Sequence, residues 1–227
     1  MTSKIKATFA QISSFKNRLK GTCALPISVG QPYHEAEKMY ATVELINKYF
    51  SKCVFIVCDS LQRYTLMLYG NLSEMGAYKE AFKDGATWIE RNQKTFQQLD
   101  IPYDIVRWDN WYKSDRFDSY LMKIDNLLSI DYNFKNILDS CANDFIEQHF
   151  SCYNENIFSM NRQSALILCE NYLKEEAAVL LMWQEEDYSF LAYPGSNNEV
   201  MANVRSYFFS KEEELSKLLY LKIKFKK

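Results

Sequence analysis

Histidine, proline and glycine are scarce in this chain of 227 residues, which has 2, 4 and 6 of them. So few glycines leave no Gly-rich loop of the kind that cradles phosphates. With only His34 and His149, a Ser-His-Asp hydrolase has little to draw on, so an activated serine here is expected to rely on a carboxylate, a tyrosine or its substrate. The six cysteines include no Cys-x-x-Cys pair, and Cys23, Cys53, Cys58 and Cys169 sit within apolar stretches. They read as buried thiols rather than bridges or zinc ligands, and neither a metal site nor a cofactor is expected. No apolar run approaches the ~20 residues that span a bilayer. Residues 1–20 are too polar for a signal peptide. The expectation is therefore a soluble, cytoplasmic protein with no membrane partner.

What the chain does have is apolar bulk, with 48% hydrophobic residues, 16 tyrosines and 15 phenylalanines. That is enough for one large core, so a single domain over residues 1–227 is expected, without long disordered stretches. The net charge is −2, unevenly spread: Lys4, Lys6, Lys16, Arg18 and Lys20 face no acid in the first 20 residues. Residues 211–227 hold six lysines against three glutamates. An RNA-binding rim and ordinary solvated tails both fit this distribution.

The pattern of elements predicts an α/β fold. Thr22–Val29 reads as a short buried strand, and Gly30 permits a tight turn into a helix from Ala36 to Phe50. Lys52–Cys58 is a continuous apolar run suited to a parallel strand covered on both faces. Strand, helix and strand make a βαβ unit the leading topology. Lys4–Ile12 is a candidate edge strand, and Leu61–Asn71 an irregular or partly helical connection. Ser73–Leu99 is predicted as a long helix capped by Ser73, with Lys79, Lys83, Arg91 and Lys94 along one stripe. That stripe is a solvated face or a track for phosphates. Tyr103–Trp108 is a further strand, Trp108–Tyr112 an aromatic loop, and Asp115–Phe150 mostly helix with a break at Ser129–Asp131. A helix over Ser164–Gln184, a strand over Tyr188–Tyr193, a last helix over Glu212–Tyr220 and a basic tail over Leu221–Lys227 complete the reading.

Four side chains stand out. Ser28 lies where a strand meets its turn, at the carboxyl edge where open α/β sheets bind ligands. On pattern alone a turn or cap residue is the first reading and a nucleophile the second. Tyr172 and Glu176, four apart on the Ser164–Gln184 helix, share a face. Tyr193 ends a strand at the same sheet edge as Ser28.

The segments Ile27-Ser-Val-Gly30 with Tyr33, Tyr172-x-x-x-Glu176 and Leu191-Ala-Tyr193, in that order and spacing, resemble the signature of the cyclodipeptide synthases. The resemblance runs from about Ala24 to Pro194. Gln31 and Pro194 place it with the branch that has Tyr-Pro at the last motif. It implies a Rossmann-like, mostly parallel sheet similar to the class I aminoacyl-tRNA synthetase catalytic domain. The synthetases' ATP motifs are missing, which fits amino acids received already activated. It also implies an aminoacyltransferase that takes two aminoacyl-tRNAs in turn and releases a diketopiperazine, with no DNA partner. Ser28 would be the nucleophile, Tyr172 and Glu176 would hold the ammonium group, Glu176 would act as base, and Tyr193 would assist cyclisation. Gly30 and Gln31 would contact substrate. The first amino acid's pocket would comprise Ala24, Pro26, Ile56, Cys58, Val179 and Leu191, which predicts a small or aliphatic side chain. A non-catalytic tRNA- or RNA-binding module is the alternative.

Overall fold

The structure is a computed structural model, and it describes residues 5–10, 20–70, 72–152, 160–195, 199–208 and 218–226. Six strands are present among these residues: β1 (Lys6–Phe9), β2 (Thr22–Ile27), β3 (Lys52–Val57), β4 (Tyr103–Arg107), β5 (Phe190–Tyr193) and β6 (Leu219–Lys226). The helices are α1 (Ala36–Tyr49), α2 (Arg63–Gly70), α3 (Glu74–Phe96), α4 (Asp109–Tyr112), α5 (Phe117–Ile130), α6 (Tyr132–Cys152), α7 (Arg162–Met182) and α8 (Glu199–Phe208). The strands form one sheet in the order β1-β6-β5-β2-β3-β4. Only β1 is antiparallel, to β6; the other described pairings are parallel.

Alternation along the strands divides the core into two layers, because successive side chains point to opposite faces. Cys23, Leu25 and Ile27 of β2 join Cys53, Phe55 and Val57 of β3 against α1 and Trp88 of α3. Ala24, Val54, Ile56 and Leu191 face the other way, onto a larger cluster built around α7. That helix is buried on one side from Ala165 and on every side over Ala177–Met182, where it is apolar all round. Each fully buried leucine, isoleucine or phenylalanine contributes about 1.5–3 kcal/mol. At the start of α3, Ser73 accepts from the Gly76 N–H at 3.2 Å, a cap that contributes about 1 kcal/mol.

The topology creates a crevice. From β2 the chain steps outward through β3 to β4, then returns to lay β5 on the other side of β2. Ligands in open α/β sheets bind at such a reversal, beyond the carboxyl ends of the strands. Here the two strands also part early. The β2–β5 ladder pairs Cys23 with Phe190 and Ala24 with Leu191, whereas β2 stays paired to β3 as far as Ile27. Pro26 has no N–H for a further rung. The gap opens directly beneath Ser28 and Tyr193.

Three expectations need correction. Residues 219–226 form β6, so the basic tail and the end of the Glu212–Tyr220 helix are sheet; residues 212–217 lie outside the described residues. Leu221 and Ile223 are buried while Lys224 and Lys226 are exposed, a period-two pattern that the lysines disguised. The aromatic loop at 108–112 is the short helix α4, with Trp108 and Trp111 buried. Among the described residues the N-terminal edge strand spans Lys6–Phe9, with Ile5 and Ala10 outside it; residues 4, 11 and 12 lie outside the described residues.

Candidate active site

Ser28 follows β2 immediately, and its backbone is fastened on two sides. Its carbonyl accepts from the Gln31 N–H at 3.2 Å, closing a turn whose third residue, Gly30, has φ +83°. That is the type II arrangement, which favours glycine at this position. The Ser28 N–H donates to Nδ1 of His34 at 3.0 Å. His34 is fully buried, and its own carbonyl accepts from the Trp88 indole at 3.1 Å. Since Nδ1 is the acceptor, the proton of the neutral ring sits on Nε2. The imidazole thus grips the backbone of Ser28 rather than its hydroxyl.

The hydroxyl belongs to a chain of three. Ser28 Oγ lies 2.8 Å from Tyr193 Oη, which lies 2.9 Å from Tyr33 Oη. The Tyr33 ring meets both Tyr193 and His34 edge-on. Burial raises the Tyr193 phenol well above the ordinary tyrosine range, outweighing the Ser28 hydrogen bond that lowers it. Tyr172 is raised too, by burial first and then by the neighbouring Glu176 carboxylate. Neither phenol is a base at neutral pH; both are hydrogen-bond donors.

Two cavities meet at these groups. One, of about 220 Å³, is lined by Ser28, Tyr172, Glu176 and Tyr193 and walled by apolar groups that include Trp108 and Trp183. The other, of about 570 Å³, shares Ser28, Tyr172 and Tyr193 and extends past Tyr33, Gln31 and Tyr64. The smaller cavity has one carboxylate in its lining, Glu176, and the larger one also has one, Asp144. No lysine or arginine lines either cavity among the described residues. A ligand's ammonium group is favoured there, and a free carboxylate or phosphate is not.

Of the predicted pocket residues, Pro26, Cys58 and Leu191 line the smaller cavity. Ala24, Ile56 and Val179 do not; they are fully buried in the core cluster around α7. The walls in their place come from helices and loops, with Leu61, Leu180 and Met201 beside the two tryptophans. Gln31 reaches the larger cavity. Gly30 is outside both linings, and its role there is conformational.

A polar network escaped the sequence reading. Arg63 and Glu175 are 2% and 3% exposed and form an ion pair inside the core. Trp108 Nε1 donates to Glu175 Oε1 at 2.8 Å, and Tyr64 donates to Oε2 at 3.0 Å. Burial opposes the charge on Arg63, but the Glu175 hydrogen bonds prevail and raise its pKa. The signal available in the sequence was an acidic pair, Glu175-Glu176, in a helix otherwise rich in apolar residues.

Lys79, Lys83, Arg91 and Lys94 are all exposed on α3. Arg91 is engaged by Glu35, with Nε at 3.1 Å from the carboxylate, and Lys83 by Glu80 at 3.4 Å. Among the described residues no three His, Cys, Asp or Glu side chains are gathered as a metal site requires.

The buried imidazole makes a prediction. Burial pushes His34 down to about 4, so between there and its unfolded value near 6.5 the unfolded chain binds more protons. Stability from this group is complete above 6.5 and is lost as pH falls through 4, by about 3 kcal/mol in all. Titration of the His34 ring by NMR is expected to show a midpoint near 4; an ordinary midpoint near 6.5 contradicts the burial.

Comparison with known proteins places this geometry. No protein-family model matches the sequence, and no curated protein matches it. Among solved structures, a cyclodipeptide synthase (CDPS) from Fluoribacter dumoffii superposes with a TM-score of 0.89 at 31% identity, covering 98% of both chains. A cyclodipeptide synthase from Candidatus Glomeribacter gigasporarum, bound to Phe-tRNAPhe, matches with a TM-score of 0.77 at 19% identity, over 95% of this chain and 93% of that one. A tyrosyl-tRNA synthetase from Archaeoglobus fulgidus, complexed with L-tyrosine, gives 0.53 at 10% identity, over 92% of this chain and 56% of its own length. That last likeness is one of fold, a mostly parallel sheet between helices. With 31% identity over nearly the whole of both chains, the chain belongs to the cyclodipeptide synthases.

Proposed function

We propose that the protein takes aminoacyl groups from two aminoacyl-tRNAs in turn, through a Ser28 ester, and releases a cyclic dipeptide. The observation that carries this reading is the meeting of two cavities at one serine, both with carboxylates and neither with a cation among the described residues of their linings. A free amino acid brings a carboxylate that nothing there would neutralise. An amino acid esterified to tRNA brings only its ammonium. The tRNA-bound relative supports the same class of substrate.

The first aminoacyl group occupies the smaller cavity. A dry cavity of ~150 Å³ holds benzene, so about 220 Å³ accommodates an apolar side chain up to an aromatic ring. This widens the small or aliphatic choice suggested by Ala24, Pro26, Ile56, Cys58, Val179 and Leu191. Tyr172 and Glu176 hold the ammonium by charge-assisted hydrogen bonds. Ser28 attacks the ester carbonyl, and the leaving ribose oxygen takes up a proton, for which the vicinal hydroxyl of the ribose is a ready relay. Exchange of one oxygen ester for another is close to thermoneutral, so no ATP is needed and orientation is the main requirement. The second aminoacyl group enters from the larger cavity. Glu176 takes a proton from the amine of the Ser28-bound aminoacyl group, which attacks the ester of the second aminoacyl-tRNA; the second tRNA leaves and a dipeptidyl-enzyme remains on Ser28. The remaining amine then closes the ring.

Glu176→Gln separates these steps. The variant is expected to accumulate aminoacyl-Ser28, seen as a mass adduct on the intact protein, while cyclic product falls by about 100-fold. Product at the parent rate removes Glu176 as the base.

A further inference from the structure

We propose that Tyr33 is a positioning residue of this site, whose hydroxyl makes the Ser28–Tyr193 pair a two-way proton path. The inference rests on the acyl-transfer reading above and goes beyond it in giving Tyr33 a role. Its basis is the unbroken run of hydroxyls from Ser28 Oγ to Tyr193 at 2.8 Å and on to Tyr33 at 2.9 Å. Tyr193 lines both cavities, whereas Tyr33 lines only the larger one.

A row of three hydroxyls has two self-consistent orientations. In one, Ser28 donates to Tyr193 and Tyr193 to Tyr33. In the other, Tyr33 donates to Tyr193 and Tyr193 to Ser28. The reaction needs both in turn. When Ser28 is acylated, the Oγ–C bond forms and the ester bond to the ribose breaks. The Oγ proton leaves through Tyr193 to Tyr33, and the proton of Tyr33 passes to water in the larger cavity, balancing the one taken up by the ribose oxygen. When the ring closes, the new C–N bond forms and the Oγ–C bond breaks. The amine proton goes to water, water in the larger cavity gives one to Tyr33, Tyr33 passes its own to Tyr193, and Tyr193 gives its own to Oγ. No proton is gained or lost overall.

Without Tyr33, Tyr193 has no described hydroxyl on its far side to receive or supply the proton. Burial makes a Tyr193 phenolate costly, so the hops must be concerted, and a concerted hop needs the third hydroxyl in place. The ring of Tyr33 also packs edge-on against Tyr193 and His34 at centroid distances of 5.9 and 4.7 Å. A test must therefore remove the hydroxyl and keep the ring.

Tyr33→Phe meets that requirement. Purified parent and variant are given the same aminoacyl-tRNA pool, and three quantities are read: the Ser28 mass adduct, the rate of cyclic product, and its dependence on the fraction of D2O. The expected result is at least a tenfold fall in kcat with KM for aminoacyl-tRNA unchanged. The bowed D2O dependence of the parent, from several protons in flight, becomes linear in the variant. If the parent forms the Ser28 adduct and Tyr33→Phe matches its rate and isotope profile, the role of Tyr33 is overturned and the acyl-transfer reading stands. If the parent forms no Ser28 adduct, both fall. Replacement of Tyr33 by 3-fluorotyrosine is a second measurement, since it preserves the packing and makes the phenol more acidic. A rate that shifts with phenol acidity supports the path, and an unchanged rate contradicts it.

Discussion

Replacing Ser28 with alanine is expected to abolish covalent capture of the aminoacyl group and to lower cyclic dipeptide formation by at least ~10³-fold, the scale seen when a nucleophile is removed. The expectation is large because no other described group is positioned to substitute. Tyr193 and Tyr172 are held neutral by burial. Burial also raises the Cys58 thiol in the same cavity, further raised by Glu176 and Asp59, so it carries little thiolate. His34 grips the Ser28 backbone through Nδ1. The fold should be nearly untouched, since the hydroxyl gives up one hydrogen bond worth about 1 kcal/mol. That corresponds to a fall in melting temperature of about 2–4 °C for a chain of this size. The check is intact-protein mass spectrometry after incubation with aminoacyl-tRNA, beside a product assay. An adduct of equal yield on Ser28→Ala would place the nucleophile elsewhere.

Periodicity carried much of the fold. Residues 53–57 are uniformly apolar and, after Lys52, form the parallel strand β3, buried from Cys53 to Val57. Ser73 caps a helix as the sequence suggests, whereas the helix expected from Ser164 begins earlier, at Arg162, and is capped by Asn161. What misled was side-chain chemistry seen without its neighbours. Lys222, Lys224 and Lys226 suggest a solvated tail until β1 and β5 pair with the backbone that carries them. The four candidate site positions stood out for a different reason. Tyr172 and Glu176 share a helix face by spacing alone, but nothing local brings them to Ser28, 144 and 148 positions earlier in the sequence. Their order along the chain, matched to a known family, supplied what spacing did not. The pocket was only half legible, because strand residues such as Ala24 and Ile56 point into the core and the walls come from helices whose approach is set by tertiary packing. The Arg63–Glu175 pair was not legible at all. Its partners lie 112 positions apart, and neither charge announces that it will be buried.

That pair carries the second large expectation, this time for stability. Arg63→Met should destabilise the protein by about 3–5 kcal/mol, because it strands a carboxylate in the core. For a chain of this length this means a fall in melting temperature of about 6–20 °C. Arg63 reaches Glu175 Oε1 at 3.0 Å and the Ser60 carbonyl at 2.9 Å, and its guanidinium lies 4.3 Å from the ring centres of both Tyr64 and Tyr112. Among the described residues, deleting it leaves the Trp108 indole and the Tyr64 hydroxyl as donors to Glu175, too few for a desolvated charge. Replacing both partners, Arg63→Met with Glu175→Leu, removes the stranded charge and should recover most of the loss. The double variant then isolates what the pair does for the site. Trp108 is a wall of the smaller cavity, and its indole nitrogen is tied to Glu175. With that tie gone and the fold restored, selectivity among aminoacyl-tRNAs should relax while Ser28 still becomes acylated. Melting curves and product profiles from a mixed aminoacyl-tRNA pool read both effects. An unchanged profile in the double variant would make the pair a matter of stability alone, and an unchanged melting temperature in the single variant would show that the charge is not buried as the structure has it.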